Sequence, residues 1–425
     1  MTESRSSSGS VCEPADLELA PEQLTDDPFA EYHNQPYRWV ILAVYCALDL
    51  IMIFCVMCTT GLSARFIMDG MTPQDFSLIQ TIGSMAGFIL CFFAGALTDR
   101  IGAKNVMIVA IILGIIGAYM RVVWVDMQSN IMLLAAGNFL IGGCFGGLNC
   151  TVAKILNMWF SPKQFNFGMG LYVALATIGS AVALSSGTFF PDTGTLMWVC
   201  VGAMVVGAVL IVFLLKNAPK GMPSLQTDNY LKTLGRALKY RSVWVASLLY
   251  FCLYGAYVAI NIFAIMLFMS KGLSELDAAT LSTIVVLGSA LGSIVLPAII
   301  SRTGKSRLWL IVLAFLAAAI MFVGWNIPYG IWTNALMFLE LFVIGGCLSQ
   351  TKALPAQLPD LPKELVGTAG GFQATLQNLG SFVLPTYVLS AIAGPDFLLL
   401  GNLIAVGFLV YAVITLFVPK DAGLR

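Results

Sequence analysis

Four ionisable side chains stand inside long apolar runs of this sequence: Asp49, Lys154, Glu340 and Lys352. A charge in hydrocarbon is costly, so each is by default a functional candidate. Asp49 with Lys154 and Lys352 makes a net positive set, which suits a small anion, with Lys352 and Lys154 as its counter-charges. Counting from the charges that flank these runs at 1.5 Å per residue puts Asp49 and Lys352 about 16 Å deep and Lys154 about 13 Å. Aromatic and amide groups are at hand to complete a site. Tyr250, Tyr254 and Tyr257 recur at i, i+4 and i+7 on one helical face that Asn261 continues, and Gln373, Gln377, Asn378 and Asn149 add amides. A few convergent polar groups among rings are the makings of a ligand pocket.

Asp49 is the candidate proton carrier, because burial and a neighbouring lysine act in opposite senses on a carboxyl proton and an arriving substrate can tip the balance. Glu340 is the second candidate. Each residue has a plainer alternative: Asp49 as a fixed partner of Lys154 or Lys352, Lys154 snorkelling to the interface, the tyrosines as packing. Arg121 with Asp126 reads as a boundary pair at a helix end. No metal cluster, nucleophile arrangement or phosphate-cradling loop is present, and the single histidine, His33, lies outside the apolar runs. An enzyme is therefore not expected, nor a cofactor, a metal or a nucleic-acid partner.

The elements that must hold these residues are membrane helices. Of 425 residues 59% are hydrophobic and 10% charged, against roughly 25% charged in a soluble protein. Twelve apolar spans are legible, at 38–62, 76–97, 103–125, 130–158, 165–188, 194–215, 243–269, 279–300, 308–325, 331–354, 366–390 and 396–418. Most approach or exceed the ~20 residues that cross a bilayer, where the backbone must be helical. Seventeen Lys and Arg fall on the side of the chain ends, against Arg65 and Lys271 opposite, with Arg121 near a helix end. The positive-inside rule then places both termini in the cytoplasm, in a plasma (inner) membrane. Residues 1–36 are Ser-rich and acidic and read as a disordered tail, with a second short tail over 420–425. Nine of the ten cysteines lie in apolar spans, so Cys55-Val-Met-Cys58 reads as packing rather than as a redox motif.

The chain also repeats itself. Gly95-Ala-Leu-Thr-Asp99-Arg100-Ile-Gly102-Ala-Lys104 has a degenerate copy at Ser301-Arg302-Thr-Gly304-Lys305, 202 residues on. Ile82-Gly-Ser-Met-Ala-Gly87 answers Leu287-Gly-Ser-Ala-Leu-Gly292; Ile141-Gly-Gly-Cys144 answers Ile344-Gly-Gly-Cys347; Ile178-Gly-Ser-Ala-Val182 answers Leu379-Gly-Ser-Phe-Val383. A nearly constant offset in four places indicates duplication. The reading is thus an all-α membrane protein of 12 transmembrane helices in two pseudo-symmetric six-helix bundles, 37–216 and 242–419, joined by a linker over 217–241. In that linker Leu231, Leu234 and Leu238 share a face opposite the basic residues, which predicts a short amphipathic helix on the inner leaflet.

Gly-x-x-x-Asp-Arg-x-Gly followed by a basic residue, between the second and third of twelve duplicated spans, resembles the signature of the major facilitator superfamily. The resemblance covers nearly all of 37–420, and departs from the usual pattern at Ala103, where a second basic residue is common. It implies alternating-access transport as a monomer, with spans 1, 4, 7 and 10 lining the cavity. Asp49, Lys154 and Lys352 fall on three of these. It also implies that Gly95, Asp99, Arg100, Gly102 and Lys104 form a gating latch between the bundles on the cytoplasmic side in the outward-facing state. The run Trp159-Phe-Ser-Pro-Lys-Gln-Phe-Asn-Phe-Gly-Met-Gly170 is similar to a loop of nitrate/nitrite and oxalate/formate-type carriers, although the arginines expected in spans 2 and 8 are absent. The expected function is secondary transport of a small, carboxylate-like anion, proton-coupled or by exchange. A proton-driven exporter of hydrophobic compounds is the alternative, weakened by the missing Gly-Pro pair late in the fifth span. A non-transporting receptor or scaffold is the remote one.

Overall fold

The computed structural model describes residues 35–425 except 69, 128–129, 161, 191, 220–229, 304, 363–364, 421 and 423–425. The predicted N-terminal tail, most of the C-terminal one and the first part of the linker lie outside the described residues.

The first span is α1 (Arg38–Met57), tightened through a 3₁₀ stretch, Cys58–Leu62, into α2 (Ser63–Met68). Then come α3 (Pro73–Ile101), α4 (Ala103–Met127), α5 (Ile131–Trp159), α6 (Pro162–Phe189) and α7 (Thr193–Leu214). After the short α8 (Tyr230–Ala237) follow α9 (Arg241–Met269), α10 (Glu275–Thr303), α11 (Ser306–Asn326) and α12 (Ile331–Ala353). The eleventh span, α13 (Val366–Val383), widens into a π-helical turn, Leu384–Leu389, at Pro385 and closes as α14 (Ser390–Ala393). The last is α15 (Phe397–Thr415). Eleven of these spans are long and apolar enough to cross a membrane by the strictest reading, and the 29-residue α3 supplies the twelfth crossing. With twelve crossings, α1 begins and α15 ends on the same face, called here the near face.

Local sequence explains the joints. Thr72 caps α3, its hydroxyl accepting from the Asp75 amide at 3.1 Å, with Pro73 in the first turn where its missing N–H costs nothing. Gly102 takes φ +83° between α3 and α4, a region that a side chain would strain, so the signature glycine is there to turn the chain within one residue.

The two bundles pack by matching helix pairs. In the first, α1 lies on α6, α3 on α5, α4 on α5 and on α7; in the second, α9 lies on α13, α10 on α12, α11 on α12 and on α15. These are the same four pairs, six spans later. The repeated small residues are what make the second pair tight. A Cβ on Gly142 would stand 2.2 Å from Gly83 of α3, and one on Gly345 only 2.0 Å from the Ser289 carbonyl of α10. Between bundles, α3 meets α13 and α6 meets α10, two contacts that a pseudo-two-fold axis exchanges.

The linker helix departs from expectation. α8 packs against α13 and α3, burying Leu234 and Ala237 while Lys232 and Arg236 stay exposed. Its buried residues thus meet helices of both bundles.

Candidate functional site

Asp49 on α1 is 1% exposed, and neither carboxylate oxygen has a hydrogen-bond partner. Lys352, in the last turn of α12 and half-buried, is the cation that acts on it, from the opposite bundle. The two charges face each other across the bundle interface without a direct ion pair. Tyr172 of α6 stands between the two halves. Its hydroxyl lies beside Asp49 without the geometry of a hydrogen bond and donates to Asn149 Oδ1 of α5 at 3.4 Å; Lys352 Nζ lies 5.6 Å above its ring. Asn149 and Lys352, equivalent in the repeat, therefore flank one tyrosine.

Lys352 is held in place by its neighbours. Gln373 donates through Nε2 to the carbonyls of Thr351, at 2.7 Å, and Ala246, at 3.2 Å, tying α13 to α12 and α9. The Thr351 and Tyr411 hydroxyls meet at 3.0 Å. Both amide hydrogens of Gln373 are thus engaged within the second bundle.

The tyrosine stripe of α9 lies on the same interface. The Tyr250, Tyr254 and Tyr257 rings follow one another at 5.7 and 5.9 Å between centroids. Tyr254 senses Asp49 and lies by Gln377; the Tyr257 hydroxyl sits among Ser289, Asn261 and Thr177 of α6. Lys154 belongs to α5, but its side chain is outside the described residues, as are those of Asp99 and Arg100 and the surroundings of Gly95.

Glu340 is elsewhere. It lies twelve residues before Lys352 on α12, about 18 Å away and a third of a turn round. That rotation points it into the interior of the second bundle, 0% exposed, with neither oxygen hydrogen-bonded. The structure does not bring it to Asp49.

Arg121 corrects the sequence reading. It is 1% exposed and turns away from Asp126, which is exposed, to donate to the Cys55 carbonyl and to Cys58 Sγ at 3.4 Å. The cause is the 3₁₀ tightening at Cys58–Leu62, which frees carbonyls at the end of α1 for an outside donor. Cys58 and Cys200 stand 3.4 Å apart, sulfur to sulfur, in the same buried corner.

The two faces of the interface differ. On the far face it is closed: Ser77 and Thr81 of α3 meet Thr386 at 3.1 and 2.7 Å, and Ser185 of α6 meets Thr283 of α10 at 2.6 Å. On the near face, among the described residues, nothing lies within 4 Å of where a Cβ would stand on Gly170, Gly367 or Gly370. Lys104 is occupied inside its own bundle, its amide donating to Asn217 Oδ1 and its ammonium to the Val212 carbonyl, both at 2.7 Å. The described part of the signature loop thus contacts the end of α7 and the residues after it.

Tyr172 and Tyr45 were missed in the sequence. Tyr45 precedes Asp49 by one helical turn and donates to Thr151 Oγ1 at 3.3 Å, a spacing that could have flagged it. Tyr172 carries no local signal, because only the packing of α6 on α1 brings it in.

Residues 40–385 match the model of the Major Facilitator Superfamily. The chain belongs to that superfamily. The lysosomal dipeptide transporter MFSD1 of Danio rerio is 23% identical over 381 residues, covering 84% of this chain and 81% of the relative, and its Homo sapiens counterpart is 25% identical over 385, covering 82% and 78%. A probable nitrate/nitrite transporter, NarK2 of Mycobacterium tuberculosis, is 24% identical over 329 residues, covering 76% and 81%. Among solved structures, FucP in its outward conformation superposes with a TM-score of 0.68 at 18% identity, over 90% of this chain and 100% of that one, a likeness of fold. The chain is therefore an integral membrane transporter of small solutes and not an enzyme.

Proposed function

We propose that this transporter moves a small carboxylate-like anion by alternating access, with Lys352 as the counter-charge and Asp49 as the proton carrier. The observation that carries this is the Asp49–Lys352 juxtaposition across the bundle interface, two opposite charges supplied by opposite bundles and not paired off. A solute carboxylate arriving at Lys352 competes with Asp49 for the lysine, and Asp49 then takes up a proton. Tyr172, Asn149, Tyr250, Tyr254, Tyr257 and Gln377 shape the pocket, and Gln373 positions it. The mycobacterial relative, named for nitrate and nitrite, agrees with an anion. Rocking of 37–216 against 242–419 about this point carries the solute across, with both termini cytoplasmic in the plasma membrane and the monomer as the working unit.

One observation favours a second reading. An acid and a base facing each other also match a zwitterion, whose ammonium would meet Asp49 while its carboxylate meets Lys352, and a dipeptide, named in the MFSD1 relatives, has that form. A thermal-shift screen of the detergent-purified protein separates the readings, using nitrate, monocarboxylates, dipeptides and lipophilic cations as probes with Lys352→Ala alongside. Stabilisation by an anion without an ammonium, lost in the variant, supports the first. Stabilisation by dipeptides alone, lost also in Asp49→Asn, moves the assignment to the second. A response only to lipophilic cations overturns both in favour of export.

A further inference from the structure

A carboxylate and an ammonium inside a protein attract each other more strongly in contact than an ammonium is held by an aromatic ring. Asp49 and Lys352 nevertheless do not meet. Among the described residues Lys352 Nζ makes no hydrogen bond, and the ring it stands over is that of Tyr172, 5.6 Å away and within reach of a cation–π contact. That ring is fixed from its own bundle. Tyr172 is 2% exposed on α6, which packs along α1. Its hydroxyl donates to Asn149 Oδ1 at 3.4 Å, and Asn149 donates through Nδ2 to the Phe145 carbonyl, one turn back on α5, at 3.3 Å. Swinging the ring aside would break this tie between α6 and α5. The hydroxyl end lies beside Asp49 while the ring lies under Lys352, so one anchored side chain stands against both charges. The other titratable groups described beside Asp49 are Cys46 on its own helix and Tyr254 of α9, and neither is a cation.

We propose that Tyr172 is a positioning residue that keeps Lys352 and Asp49 from pairing in the empty carrier. It parks the ammonium over its ring, in a contact weak enough for a solute anion to displace. This rests on the reading of Lys352 as counter-charge and Asp49 as proton carrier. Without the ring the two charges would close on each other, and a solute carboxylate would have to break a contact ion pair before it could bind. One aromatic side chain of α6 thereby decides whether the charge on α12 is open to the solute or consumed by the fold.

A double-mutant cycle read by melting temperature tests this on the full chain in lipid nanodiscs, with no solute present. Asp49→Asn, Lys352→Met and the two together are made on three backgrounds: wild type, Tyr172→Phe and Tyr172→Leu. In wild type and in Tyr172→Phe, which keeps the ring, the two changes should be close to additive. In Tyr172→Leu the charges can meet, and the cycle should show a coupling of a few degrees that the other backgrounds lack. Lost packing alone would lower all four melting temperatures of that cycle together, so a coupling no larger than in wild type overturns the proposal. So does a coupling of that size already present in wild type or created by Tyr172→Phe. Should Tyr172→Leu not fold, carbon-13 NMR of lysine-labelled wild type decides. One ε-methylene signal should be displaced by the ring current and lost in Lys352→Met; no displaced signal refutes the contact. Neither measurement uses a solute, so a carrier that passes them yet ignores carboxylates in the thermal-shift screen loses the solute assignment and keeps the spacer.

Discussion

The two bundles are built by the same helix pairs, yet they treat two of their buried charges, Arg121 and Glu340, in opposite ways. The first bundle surrounds Arg121 with the Cys55 carbonyl and Cys58 sulfur that the end of α1 leaves free. The second gives Glu340 nothing but a small cavity. At equivalent turns of α5 and α12, the first places neutral Asn149 where the second places Lys352, and answers it with Asp49 from α1. Duplication supplies the frame twice, while the charges that make a cycle possible are divided between the copies. A charge that the fold satisfies serves structure, and one that it leaves unmet is poised for a partner that comes and goes.

The sharpest way to break this comparison is Lys352→Ala. Transport in proteoliposomes should fall to background while the protein stays monodisperse and melts near wild type; uptake at the wild-type rate refutes its role as counter-charge. Asp49→Asn should retain exchange of solute for solute but lose accumulation against a gradient, read by comparing counterflow with uptake driven by a pH step. Arg121→Met, by contrast, should act on stability. It leaves the Cys55 carbonyl and a buried void behind, at a cost of roughly 2–3 kcal/mol, read as a lowered melting temperature with transport retained per folded molecule. An Arg121→Met variant that melts like wild type but no longer transports would erase the distinction between met and unmet charges.

The smallest effect concerns the far edge of the first bundle. Hydrogen bonds from the Thr195 hydroxyl, foremost, and from the Thr195 and Gly194 amides hold the Asp192 carboxyl below the usual carboxylate range. A lowered value means stability present above the ordinary carboxylate pKa and lost as pH falls through the lowered one. The gap in melting temperature between wild type and Asp192→Ala should therefore be small, positive at neutral pH, and absent in strong acid.

Much of this was legible in the sequence because membrane helices announce themselves by length and hydropathy, and duplication by offset. The twelve spans and the duplicated frame follow from counting. What counting cannot give is rotation about a helix axis fixed by tertiary contacts. Glu340 and Lys352 share α12 but face different volumes, Gln373 spends its donors inside the bundle, and Arg121 turns inward only because α1 tightens beyond Met57. Tyr172 escaped for the same reason, being near Asp49 in space and 123 residues away in sequence.

The closed far face has a consequence for the electrical behaviour of the carrier. Its described hydrogen bonds, Ser77 and Thr81 to Thr386 and Ser185 to Thr283, join uncharged hydroxyls. Each is worth about 0.5–1.5 kcal/mol net, so undoing them asks for only a few kcal/mol. A neutral clasp of this kind gives a membrane potential nothing to pull on, whereas a full charge crossing 100 mV gains or loses about 2.3 kcal/mol. Any voltage dependence in the turnover of this protein would then report the charges carried with or around the solute, and a current measured across the cycle would count them.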